Sequence, residues 1–198
     1  MKEKIREILP LHKLSFHLSK DLYITDYKDM RETFNRSDVE MSKVKPVGIN
    51  CVSIKNENEI IICFDGFSEN ALPLEKEGEQ NKQCECVLFP ESCIDDYWIL
   101  FVETKYANNL KAAFDNERDY PHCMVNQIIS TVKYFRDKKI LDKNKRVNAI
   151  VSFPNLIEEF NSTLFKGDLS VEDILFEYKI KIRGTNSAEV KSEKRLRI

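Results

Sequence analysis

Eight residues constrain this chain more than any others: Trp98-Ile-Leu-Phe-Val-Glu-Thr-Lys105. Side chains alternate along an extended strand, so Ile99, Phe101, Glu103 and Lys105 share one face, and Trp98, Leu100, Val102 and Thr104 share the other. Both faces are apolar over the first five residues, the pattern of a strand covered on both sides. Two charges then stand on the same face at its end. An unpaired buried charge is costly, so Glu103 and Lys105 must pair, bind a metal or reach solvent.

The surrounding pattern predicts a mixed sheet with helices packed on it, an α/β (α+β) fold. Strands are expected over 14–18, 47–54, 59–65, 84–89, 97–105 and 147–153. Residues 122–139 give the clearest helix, with Val125, Ile128, Ile129, Val132 and Phe135 at 3.6-residue spacing and Pro121 at its start. Polar residues 26–39 read as a helix and residues 155–160 as a short one. From Ser170 onward the tail reads either as a capped helix or as a strand pair turning at Gly184. Ser170-Val-Glu-Asp173 has the form of a capping box. Residues 68–83 are a polar loop long enough to serve a partner.

A partner for Glu103 follows from hairpin arithmetic. With Ile94 central in the connection, facing residues sum to about 188, which sets Glu85 opposite Glu103. Glu91 falls roughly 20 Å away at ~3.3 Å per residue. Asp95 and Asp96 fail the same test and are turn residues. More weakly, the strand ending at Gly66 brings Asp65 toward Glu85; Asp65 is either a third acid of the cluster or a turn residue. His12, His17 and His122 have no partner at a useful spacing and are assigned no role.

Two or three carboxylates, with the backbone carbonyl of Thr104, would offer the hard oxygen ligands that Mg²⁺ or Mn²⁺ prefers. Such a metal lowers the pKa of water and offsets charge on a phosphate, and a lysine beside it stabilises the transition state. Here the sequence resembles the PD-(D/E)xK (restriction-endonuclease-like) nuclease superfamily. The matching residues are Glu85 in Cys84-Glu-Cys-Val-Leu-Phe89, then Glu103-Thr-Lys105, a helix bearing Gln127, and the strand 147–153. The resemblance covers about residues 45–153 and implies a nuclease-like core with N-terminal and C-terminal extensions within one domain, 1–198. It implies that Glu85 and Glu103 bind metal and that Lys105 assists catalysis. Gln127 matches a polar residue of the following helix by position only, and an acid of the first helix would be Glu32 or Glu40. The sequence departs from the family in having Glu for the usual first Asp, with no Pro before it, and Thr131 where a Tyr is frequent.

The implied activity is Mg²⁺-dependent hydrolysis of nucleic-acid phosphodiester bonds, endo- or exonucleolytic, with DNA favoured over RNA. The second reading is a catalytically inactive member of the same fold serving as a protein-interaction module. A formal net charge of −2 favours the second somewhat, because nucleic-acid affinity rests on Lys and Arg against phosphate and here needs a local patch. The basic end, Lys191-Ser-Glu-Lys-Arg-Leu-Arg197, reads as a solvated or disordered tail or as a phosphate contact. Six cysteines lack zinc spacing; Cys84 and Cys86 read as same-face strand residues and the set as buried free thiols. No apolar run approaches the ~20 residues of a membrane span and the charged N-terminal segment does not read as a signal peptide, so the expected location is the cytoplasm.

Overall fold

The computed structural model describes residues 1–28, 38–72, 83–92, 95–113, 120–156 and 170–198. In chain order they form α1 (Lys2–Ile8), β1 (Ser15–His17), β2 (Asp21–Asp26), β3 (Val39–Ser42), β4 (Val52–Lys55), β5 (Ile62–Gly66), β6 (Cys86–Pro90) and β7 (Leu100–Thr104). There follow α2 (Leu110–Ala113), α3 (Tyr120–Asp137), β8 (Val147–Ser152), α4 (Val171–Tyr178), β9 (Ile180–Gly184), β10 (Ser187–Ser192) and β11 (Arg195–Arg197). The fold is α+β, built on two mixed sheets rather than the single one expected. The first has order β1-β5-β6-β7-β8-β9 and the second β11-β10-β4-β2-β3.

The double-sided apolar pattern of 98–105 has a clear structural meaning. Ile99 and Phe101 face a core shared with α1, α3 and α4, whereas Leu100 and Val102 face a core shared with the second sheet. β7 therefore lies in the middle layer of three. Phe101 packs edge-on against Phe135 of α3, ring centroids 5.6 Å apart. Met124, Ile128, Val132 and Phe135 are fully buried, as the 3.6-residue spacing requires.

The hairpin register is as calculated: Cys86 faces Val102, Val87 faces Phe101 and Leu88 faces Leu100. β8 then runs parallel to β7 after the α3 crossover. Gly66, where β5 ends, lies against the second sheet. A Cβ there would come within 2.3 Å of the Val39 carbonyl oxygen, so only glycine permits this approach.

Several expectations are corrected. β2 runs to Asp26 and β3 begins at Val39, so both ends of the expected 26–39 helix are strand; residues 29–37, Glu32 among them, lie outside the description. The helix expected at 155–160 and most of the 68–83 loop also lie largely outside it. The first sheet takes in strands from both sides of 45–153. β1 and β9 complete the first sheet, because β5 and β8 would otherwise be bare edges. The C-terminal segment is both alternatives in turn: α4, with Ser170 and Asp173 forming the capping box, then β9. Gly184 ends β9, which pairs parallel with β8, and the chain crosses to the second sheet. The basic end is an ordered hairpin strand, with Lys191 and Arg197 both on Glu189.

Cys84 and Cys86 are not on one face. Cys84 packs on the helix side and Cys86 between the sheets. Glu85 N–H donates to Val102 O at 3.0 Å while Cys86 faces the same residue, so the strand is kinked at Glu85 in the manner of a bulge.

Candidate active site

Glu103 is the last charge-bearing residue of β7 and is fully buried, at 0 % exposure. The strand puts Lys105 back over it, with Nζ 3.0 Å from Glu103 Oε1 and 3.5 Å from Glu85 Oε1. One ammonium thus spans both carboxylates that the sequence paired. Oε1 of Glu103 is ion-paired with Lys105, and Oε2 has no hydrogen-bond partner among the described residues. Buried carboxylate oxygens are normally satisfied, so Oε2 stands out.

The second sheet adds two residues that the sequence reading missed. Lys28, just after β2, donates its Nζ to Glu85 Oε2. Asp26, at the end of β2, is buried and accepts the Lys28 backbone N–H on Oδ1 at 2.9 Å. Burial, and then the negative charge of Glu85, push the Asp26 carboxyl up to about 6. Asp26-Tyr-Lys28 looked like the start of a polar helix; its alternation as the end of a strand was the available signal. The cluster is therefore Asp26, Glu85 and Glu103 with Lys28 and Lys105.

Burial raises the Glu103 carboxyl well above the usual range, and the Glu85 charge adds to this. Burial alone would lower Lys105, but the Glu103 and Glu85 charges outweigh it and raise its pKa, so it stays an ammonium. The same holds for Lys28, where Glu85 is the main charge opposing burial.

Asp65 is not part of this cluster. It faces Val87 in the sheet, and its Oδ2 lies 2.8 Å from His12 Nδ1. His12, to which no role was assigned, is its partner, and its Nε2 lies 3.3 Å from Ala71 O. His17 likewise has a partner, Ser15 Oγ at 2.8 Å. Glu91 sits apart, paired with Lys2 at 3.5 Å, and Asp96 has the positive φ of a turn residue. Glu40 is in β3, not on a helix. Thr104 is buried and faces Ser152 of β8.

Gln127 takes a positioning place. Its Nε2 donates to Gln83 O at 2.9 Å. One turn on, Thr131 Oγ1 accepts the Cys84 N–H at 2.8 Å and donates to Gln127 O. α3 thereby holds the two residues that lead into Glu85.

Among the described residues, no group of three or more His, Cys, Asp or Glu side chains is arranged to hold a metal ion. The donors nonetheless suit a hard cation. Glu85 and Glu103 share one ammonium, Asp26 adds a third acid to their field, and Glu103 Oε2 has no hydrogen-bond partner among the described residues. Cys84 and Cys86 are fully buried, and burial holds both thiols protonated. No helix among the described residues is long and apolar enough to cross a membrane. Compared with protein-family models, with curated proteins and with solved structures, the chain matches none.

Proposed function

We propose that the protein is a metal-dependent nuclease-like phosphodiesterase acting on nucleic acid, DNA before RNA, with its site at Glu85, Glu103 and Lys105. The observation that carries this reading is the fully buried Glu103 carboxylate, its Oε2 without a hydrogen-bond partner among the described residues, sharing one ammonium with Glu85. The element order adds support: an antiparallel run β5-β6-β7 bearing the motif, then α3 with Gln127, then β8 parallel to β7. That is the order on which the PD-(D/E)xK resemblance rests.

Glu85 and Glu103 would hold Mg²⁺ or Mn²⁺, with Asp26 the third acid in place of Asp65. When bound, the ion supplies Lewis acidity and countercharge for a phosphate. Lys105, held as an ammonium, would stabilise charge building on the phosphate oxygens. Lys28 fixes Glu85, and Gln127 and Thr131 fix the backbone before it. An inactive interaction module on this fold is the second reading. It is favoured by the Lys28–Glu85 contact, which occupies an oxygen that a metal ligand needs free.

The test is calorimetric titration with Mn²⁺ and Mg²⁺, wild type against Glu103→Ala, followed by cleavage assays on plasmid and single-stranded substrates. Binding that Glu103→Ala abolishes supports the site, and binding unchanged by it removes the metal argument. Metal binding without cleavage selects the inactive module.

A further inference from the structure

A groove of about 570 Å³ adjoins the cluster, lined by Lys45, Asn50, Tyr106, Asn108 and Asn155 among others. Three separate connections build it: the one from β3 to β4, the one after β7 and the one after β8. It therefore lies at the carboxyl ends of two adjacent parallel strands, where mixed and parallel sheets commonly place ligands. Tyr106 joins groove to cluster. It follows Lys105 directly, and its hydroxyl oxygen accepts the Asp26 N–H at 3.3 Å.

The chemistry of the groove is opposite to that of the cluster. Among its described lining residues there is no carboxylate and one charge, that of Lys45. Its three carboxamides form a row: Asn50 Nδ2 donates to Asn155 Oδ1 at 3.1 Å, and Asn155 Nδ2 to Asn108 Oδ1 at 3.4 Å. Asn50 and Asn108, at the ends of the row, are exposed. Carboxamides offer donors for phosphate oxygens and both donors and acceptors for sugars and base edges. Val44 and Val47, 78 % and 91 % exposed, flank Lys45-Pro46 and add apolar surface beside the cation. The volume lies within the ~300–1,000 Å³ of ordinary ligand sites, room for a nucleotide-sized group.

We propose that this groove is the strand-holding subsite, binding the phosphodiester backbone of a single nucleic-acid strand beside the acidic cluster. The inference rests on the nuclease reading for its choice of ligand. Its described lining residues include one lysine and no carboxylate, the kind of local patch that a chain of net charge −2 needs for a phosphate backbone. Lys45 would neutralise one phosphate, while the carboxamide row, already bonded together, binds without first being ordered.

Fluorescence anisotropy with labelled oligothymidylate, and with oligouridylate in parallel, tests the subsite in EDTA, so that no cleavage intervenes. Lys45→Ala and Asn155→Ala are expected to weaken binding roughly three- to tenfold, and Lys45→Ala to reduce the slope of log K against log salt by about 0.7. Glu103→Gln is expected to bind at least as well as wild type. The tighter of the two oligonucleotides identifies the strand as DNA or RNA. Wild-type protein that binds neither, or groove variants that bind like wild type with unchanged melting, would overturn the subsite. Groove variants that lose binding, in a protein that cleaves nothing with any metal, would keep the subsite and sink the nuclease reading instead.

Discussion

Two buried acids on the first sheet, Asp65 and Glu103, meet different fates. Among the described residues Asp65 has one ion-pair partner, His12, and together they tie β5 to the segment at Ala71. Glu103 shares its ammonium with Glu85, and Asp26 adds a third acid against two lysines, so among the described residues the cluster holds more acid than base. A one-to-one pair is what a fold uses to tolerate a buried charge. Among the described residues both acids leave a buried oxygen without a hydrogen-bond partner, Asp65 Oδ1 and Glu103 Oε2. The excess of carboxylates over cations, not the orphaned oxygen, is therefore what a cation would relieve at the Glu103 cluster.

The sharpest way to break this comparison is activity. Lys105→Ala should lower phosphodiester cleavage by ~10²–10³-fold, the usual loss for a single electrostatic stabiliser. His12→Ala should leave the specific activity of the folded fraction intact, as measured by single-turnover assays on plasmid. Equal losses from the two would erase the distinction.

Next in size comes the same chemical change at both acids. Asp65→Asn removes the charge that His12 needs and should cost about 2–3 kcal/mol in urea unfolding. Glu103→Gln removes the acid that burial disfavours while Lys105 keeps Glu85, so it should cost less than about 1 kcal/mol while abolishing metal binding. Equal destabilisation by both would make Glu103 a structural acid like Asp65. Gln127→Ala should cost about 1 kcal/mol through the lost bond to Gln83 O, and should slow cleavage without abolishing metal binding.

The smallest effect is in pH. Burial lowers the His12 pKa, but the hydrogen bond and charge of Asp65 outweigh this and leave it raised. A group whose folded pKa exceeds its unfolded value stabilises fully below the unfolded value, here 6.5. That contribution is lost as pH rises through the folded value. Asp65 is also raised, by burial first, so its own effect has the same sign at lower pH. The melting-temperature difference between wild type and His12→Gln should therefore shrink from pH 6 upward, and a difference that grew would reverse the assignment.

Much of the site could be read from strand chemistry alone. The 188 sum placed Glu85 by Glu103 because an antiparallel hairpin with a short connection has nearly one degree of freedom, its register. Gln127 could be placed on α3 by periodicity, though not its bond to the Gln83 carbonyl. Lys28 and Asp26 could not be read, because they arrive from another sheet and no local rule links residue 26 to residue 85. His12 escaped for the same reason, being 53 positions from Asp65.

The sequence by itself determined that β7 is covered on both faces and ends in an acid–lysine pair, since alternation is a property of the extended backbone. It did not determine what covers those faces. Only the tertiary structure decided that helices take one side and a second sheet the other. Only that second sheet carries Asp26 and Lys28 to Glu85, because contacts between layers depend on packing of distant segments rather than on spacing along the chain. The run 98–105 therefore decided where the buried acid–lysine pair sits, and the opposing layer decided how much charge surrounds it.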